Sequence, residues 1–164
     1  MGLKTMPGLN KATRLVVIVL IAASLLANSL LVFATPGPNS PFDQYSTIAW
    51  ENEMARLDNF AIQIQNWVPS VGYIVIFDEA GGCPGEAKAR AIRAKRYIVE
   101  HRGVPWNRVI WRVDGYQSEI YTTLLIAPPG AIVSYPYRDS IPGTDGPLTK
   151  RCQTRLRQIA RSRW

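Results

Sequence analysis

The chain has 164 residues, 47% of them apolar, and a net charge of +7 that is unevenly distributed. Lys4, Lys11 and Arg14 lie in residues 1–34, and a cluster of lysine and arginine fills residues 150–164, both without an acid, while the stretch between is nearly neutral. That length accommodates one domain with one core, and a single histidine with two distant cysteines excludes an ordinary zinc site.

The first element is the uncharged run Leu15–Ala34, preceded by three cations and followed by the Pro/Gly-rich stretch 35–41. Twenty apolar residues suffice to cross a bilayer, with the positive flank kept on the cytoplasmic side. A cleaved signal peptide is the other reading, because "VFA" before Thr35 supplies the small residues of a cleavage site. Segment 1–34 is therefore expected to be a signal peptide or transmembrane anchor and 35–41 a linker. Either way the remainder is exported, to the periplasm or cell envelope. Nucleic acid, the usual partner of a basic chain, is then not an expected one; anionic headgroups and the wall polymer are within reach.

"FDQYSTI" from Phe42 reads as a short strand. In "WENEMARLDNFAIQIQNW", Trp50, Met54, Leu57, Ala61 and Ile64 recur at helical spacing, with Glu51 and Glu53 in the first turn where they suit the helix dipole. Pro69 ends that helix. "GYIVIFD", Gly72 to Asp78, is a continuous β-branched and aromatic run, expected to be a buried central strand. The stretch "GEAKARAIRAKRYIVEHRG", 85–103, predicts a second helix with Pro84 before it and Gly103 just past it. Ala87, Ala91, Ala94 and Ile98 form its inner stripe. His101, in the last turn, is expected to serve the helix dipole rather than act as a base. "NRVIWRVDG" and "EIYTTLLIA" predict two strands joined by a turn around "DGYQS". The order (β)αβαββ implies an α/β fold, an α+β sandwich with two helices on one face of a mixed sheet, besides the N-terminal hydrophobic helix.

Residues 42–127 are expected to form this domain, and 128–164 a Pro/Gly-rich and basic tail. Within that tail Leu156, Ile159, Ala160 and Trp164 recur at helical spacing among arginines. This is the pattern of a helix that lies on an anionic surface; a disordered basic tail is the alternative. Cys83 and Cys152 are the only cysteines. Export allows them to form a disulfide, against the alternative of two free thiols.

"LDNFA" on the first helix, "IVIFD" on the strand and "ARA…YIVEHRGVPWNRV" on the second helix and beyond resemble the OmpA-like peptidoglycan-associating domain. Asp78, Arg90, Ala91, the "YIV" at 97–99, Gly103, Val104 and Arg108 fall in that family's order. The resemblance implies that Asp78 and Arg90 grip the diaminopimelate residue of the peptidoglycan stem. Such a zwitterion suits an aspartate for its ammonium and a guanidinium fork for its carboxylate. On a helical wheel Arg90 lies about 70° from the apolar stripe and Arg93 about 130° away, so Arg90 is expected to reach the sheet edge and Arg93 to face solvent. An Asp78–Arg90 salt bridge capping the second helix is the purely structural reading.

The chain departs from the family pattern in three places. Phe77 stands where a threonine or serine usually precedes the aspartate, the loop to Arg90 is short, and "QSEIYTT" lacks the usual paired arginines. Neither a nucleophile–base pair nor a phosphate cradle is present, so no enzyme activity and no cofactor is expected. Two functions follow: a non-catalytic envelope protein associating with peptidoglycan, or an accessory subunit of an envelope complex whose OmpA-like domain has lost that binding. The expected partners are peptidoglycan or an envelope protein complex, the membrane through Leu15–Ala34 if uncleaved, and an anionic surface through the basic tail.

Overall fold

The apolar run from Gly72 to Asp78 is an interior strand buried along most of its length, as its sequence requires. A computed structural model of the chain describes residues 40–133 and 142–162; the apolar run Leu15–Ala34, most of the linker and Trp164 lie outside the described residues. Strand β1 is Asp43–Ser46, β2 is Val71–Glu79, β3 is Val109–Gln117 and β4 is Tyr121–Ala127. They form one mixed sheet in the order β1-β4-β2-β3, with β2 antiparallel to β4 and parallel to β3. Helix α1 is Trp50–Asn66 and α2 is Glu86–Arg96, continued by a π-helical turn Tyr97–His101. A third helix, α3, runs from Lys150 to Arg161. Among the described residues no helix is long and apolar enough to cross a membrane.

Side chains alternate across β2. Ile74 and Ile76 meet Leu57, Phe60 and Ile64 of α1 and the alanine stripe of α2, all inaccessible to solvent, so both helices share one face of the sheet. Each large side chain buried this way contributes about 1.5–3 kcal/mol. Val75 and Phe77 point to the other face and pack with Leu125. Small residues at 87, 91 and 94 let α2 lie close on the sheet, as the sequence predicts. The end of α2 closes with the Val104 N–H donating to the Ile98 carbonyl across Gly103, whose φ is 69°.

Three expectations need correction. The turn between the last two strands falls at 118–120, because "DGYQ" belongs to β3, which bulges opposite Ile76 and Asp78 with Gly115 at φ 89°. The two strands are not neighbours either: β4 lies on the far side of β2, which stands between them. Arg93, expected in solvent, is 8% exposed and pairs with Glu53 of α1, itself 2% exposed rather than free in the first turn. The wheel measured angles from the sheet alone, whereas the flank of α2 is covered by α1.

Candidate functional site

The carboxyl ends of β2 and β3, the head of α2 and the returning C-terminal segment meet at one end of the sheet. Asp78 continues the helix-side register of Ile74 and Ile76. Its Oδ1 accepts from the Glu79 N–H at 3.0 Å, and the carboxylate also accepts from the Ala87 N–H in the first turn of α2. The side chain therefore caps α2, where a negative charge suits the helix dipole. It is 6% exposed. Burial raises its pKa above the ordinary carboxylate value, the two backbone donors oppose that, and Asp145 and Glu86 add to it.

Arg90 is turned elsewhere. Its Nε and Nη2 both donate to Glu86 Oε1, at 2.9 and 2.8 Å, and the same oxygen receives Arg155 Nε of α3 at 2.9 Å. Glu86 is thus a buried clamp between α2 and α3, and Arg90 is 8% exposed. No ion pair joins Asp78 to Arg90, so the cap on α2 is made by Asp78 and backbone rather than by a salt bridge. The helical spacing explains this outcome: Glu86 lies four residues before Arg90, the favourable i, i+4 arrangement.

Cys83 and Cys152 form the disulfide expected from their number and compartment, with Cα atoms 5.4 Å apart. It joins the β2–α2 loop to the first turn of α3, whose Thr149 side chain accepts from the Cys152 N–H. Ahead of α3, the Gly81 N–H donates to the Thr144 carbonyl at 2.9 Å and the Gly146 N–H to the Gly82 carbonyl at 2.8 Å. A β-carbon on Gly146 would stand 2.2 Å from the Gly81 carbonyl oxygen, so only glycine allows this approach. The described part of the tail is consequently a strap laid over the loop that follows Asp78. On α3, which packs on α2, Cys152 and Ile159 are buried, while Leu156 is half-buried and Ala160 exposed.

What remains open beside Asp78 is a cleft of about 290 Å³ lined by Asp78, Lys88, Val113, Tyr116 and Asp145. Tyr116 donates to Asp145 Oδ1 at 3.4 Å. Asp78 reaches this cleft and Arg90 does not line it. Lys88 was visible only as one cation among several on the helix, and Asp145 had no local signal because the strap alone brings it here. A second cleft, of about 320 Å³, lies at the other end of α2 against Trp106, Asn107 and Trp111. Among the described residues no group of three acidic, histidine or cysteine side chains could hold a metal.

Arg108, at the entry to β3, acts on the scaffold. Its Nε donates to the Ser70 carbonyl at 2.8 Å and its Nη2 to the carbonyls of Ile64 and Trp67, closing the C-terminus of α1. His101 stacks on Tyr97, ring centroids 5.0 Å apart. Comparison with known proteins returns no matching family model, no matching curated protein and no matching solved structure.

Proposed function

We propose that the exported part of this chain is a non-catalytic interaction module of the cell envelope, an OmpA-like domain in which the stem-peptide site is closed. The observation that carries this reading is the capture of Arg90 by Glu86, whose Oε1 also receives Arg155, which takes the Arg90 guanidinium away from Asp78. A zwitterion bound at this end of the sheet needs both groups free. Asp78 is capped by backbone donors and Arg90 is paired, and the disulfide-held strap lies over the intervening loop. The disulfide itself accords with an oxidising compartment.

Co-sedimentation of the oxidised full chain, in mild detergent, with purified peptidoglycan tests the reading. The protein is expected to stay in the supernatant. Sedimentation that is lost in both Asp78→Ala and Arg90→Ala, with the circular dichroism spectrum unchanged, would replace it with wall attachment through that pair.

A further inference from the structure

The parallel run of β2 and β3 and the antiparallel return of β4 bring three connections to the end of the sheet opposite Asp78. Gly72 is level with Val109 and Val71 with Ala127. The α1–β2 corner at 67–70, the entry to β3 at 105–108 and the turn after β4 at 128–131 are therefore neighbours, set apart by about 5 Å from strand to strand. Arg108 ties the first two, its Nη2 donating to the Trp67 carbonyl at 3.3 Å. Each connection presents a large apolar side chain to solvent: Val68 is 68% exposed, Trp106 72% and Ile132, just past the third, 90%. These are the three most exposed large apolar side chains among the described residues, and all three stand at this one end.

The chain also enters the domain here. Asp43 pairs with Leu124, and Leu124 with Ile74, so β1 runs parallel to β2 and the residues ahead of it point to the same end. Residues 35–39 alone separate Ser40 from the uncharged run that closes at Ala34, and so short a stretch spans at most about 20 Å. Charge is arranged to match. The carboxylates outside the described ion pairs are elsewhere: Glu51 in the first turn of α1, a helix length from Trp67, and Asp78, Glu79, Glu119 and Asp145 around the opposite end. Asp58 and Glu100, on the helix side, are paired with Arg102 and Arg96. Beside Trp106 stands Lys95, its Nζ 5.6 Å from the ring centroid. An exposed indole among aliphatic tips, with a cation and no unpaired carboxylate, is the composition that a headgroup layer accepts.

We propose that this end of the domain docks on a lipid bilayer, with Val68, Trp106 and Ile132 set into the headgroup region. The proposal rests on Leu15–Ala34 being retained as an anchor, and it goes beyond the interaction-module reading by stating which way the module faces. Asp78, the disulfide and the strap then point away from the lipid. The contact is made by apolar loop tips, so salt, which screens charge, leaves it intact.

The test uses the oxidised full chain in phosphatidylcholine nanodiscs, with and without a lipid that carries a doxyl quencher near its headgroup. Tryptophan emission is expected to fall by at least about one fifth, the share of one indole in five, and equally at low and high salt. Trp106→Phe should remove most of that fall. Val68→Asp with Ile132→Asp, both at exposed positions, should reduce it at least about twofold with an unchanged circular dichroism spectrum, because lipid expels a carboxylate. No quenching, quenching that persists in Trp106→Phe, quenching indifferent to the aspartates, or quenching abolished by salt overturns the proposal. Shielding of Trp106 from aqueous acrylamide that grows with protein concentration in detergent also overturns it, assigning this end to a second copy of the chain. Intact mass is read separately: a chain cleaved after Ala34 removes the anchor on which the proposal rests, whereas a full-length chain without quenching refutes docking itself. Peptidoglycan sedimentation is a third, independent measurement, so either failure leaves the interaction-module reading to be judged on its own.

Discussion

Replacing Arg93 by methionine removes the partner of a carboxylate that is 2% exposed, between α1 and α2. The guanidinium also lies 4.0 Å from the centre of the Trp50 ring, so the side chain holds the two helices by charge and by stacking. Breaking a buried pair from one side costs about 3–5 kcal/mol. Glu53 limits that cost by taking up a proton. A carboxyl with an ordinary value of 4.5 is held neutral at pH 7 for about 3.4 kcal/mol and at pH 5 for about 0.7 kcal/mol, at about 1.36 kcal/mol per pH unit. In the native protein burial already pushes Glu53 above its ordinary value, against the pull of Arg93 and Arg90.

The sign of the pH dependence follows. A carboxyl whose folded value is raised stabilises fully below its unfolded value, and that stabilisation is lost as pH rises through the folded value. Losing Arg93 raises the folded value further and widens this window. Relative to wild type, Arg93→Met should therefore lose about 3–4 kcal/mol at pH 7 and only about 1 kcal/mol at pH 5. Glu53→Gln leaves a guanidinium that cannot shed its proton, so its loss should be nearly the same at both. The double variant removes both charges, and also the Arg93 Nε that has no partner among the described residues. It should return to within about 1 kcal/mol of wild type. Urea denaturation at the two pH values measures all four proteins. An Arg93→Met loss below about 1 kcal/mol at pH 7, or one as large at pH 5 as at pH 7, would refute the reasoning.

Cys83→Ser with Cys152→Ser opens a loop spanning 69 residues and should cost up to about 4 kcal/mol in urea, with hydrogen exchange accelerated first in α3. Gly146→Ala should raise exchange at 81–87 with little effect on β2, because the strap and not the sheet must move to admit the new carbon; unchanged exchange there would mean the strap does not bear on the loop. Arg108→Ala leaves the α1 carbonyls without their donor and should lose about 2–3 kcal/mol, and a midpoint equal to wild type would show water replacing it. Tyr97, whose hydroxyl donates to Asp58 at 2.6 Å, has its pKa pushed up to about 12 by burial and that carboxylate. Tyr97→Phe should remove an absorbance change near that pH in the tyrosine titration.

Periodicity made the two helices and the central strand legible, because Leu57, Ala61 and Ile64, the alanine stripe, and Ile74 to Phe77 each meet one partner surface. The disulfide was legible too, since two cysteines admit one pairing. What escaped depends on relations between distant segments. The place of β4 beyond β2 is set by which strand most needs cover on both faces, and no local turn signal records it. Gly115 reads as a turn in sequence and serves as a bulge in the strand. Asp145 enters the cleft only because the strap returns, and Arg90 is diverted by a glutamate one turn away that the motif comparison passed over.

The six cations between 85 and 103 illustrate the same physics at closer range. A run of charge on one helix invites one explanation, a polyanion or a solvated face, yet four environments divide it. Arg93 is buried against α1 and answers Glu53; Arg90 is buried towards α3 and answers Glu86. Arg96 and Arg102 take surface carboxylates, Glu100 at 3.8 Å and Asp58 at 3.2 Å, of the kind worth little to stability. Lys88 and Lys95 line the two clefts at the ends of α2, Lys88 beside Asp78 and Asp145 and Lys95 beside Trp106 and Trp111. Each buried arginine is fixed by an acid on another turn or another helix, so neither is available to a ligand without breaking a pair. The two lysines engage no carboxylate among the described ion pairs. The charge that made the helix conspicuous in sequence is thus largely answered by the chain's own carboxylates, four of its six cations being paired with them.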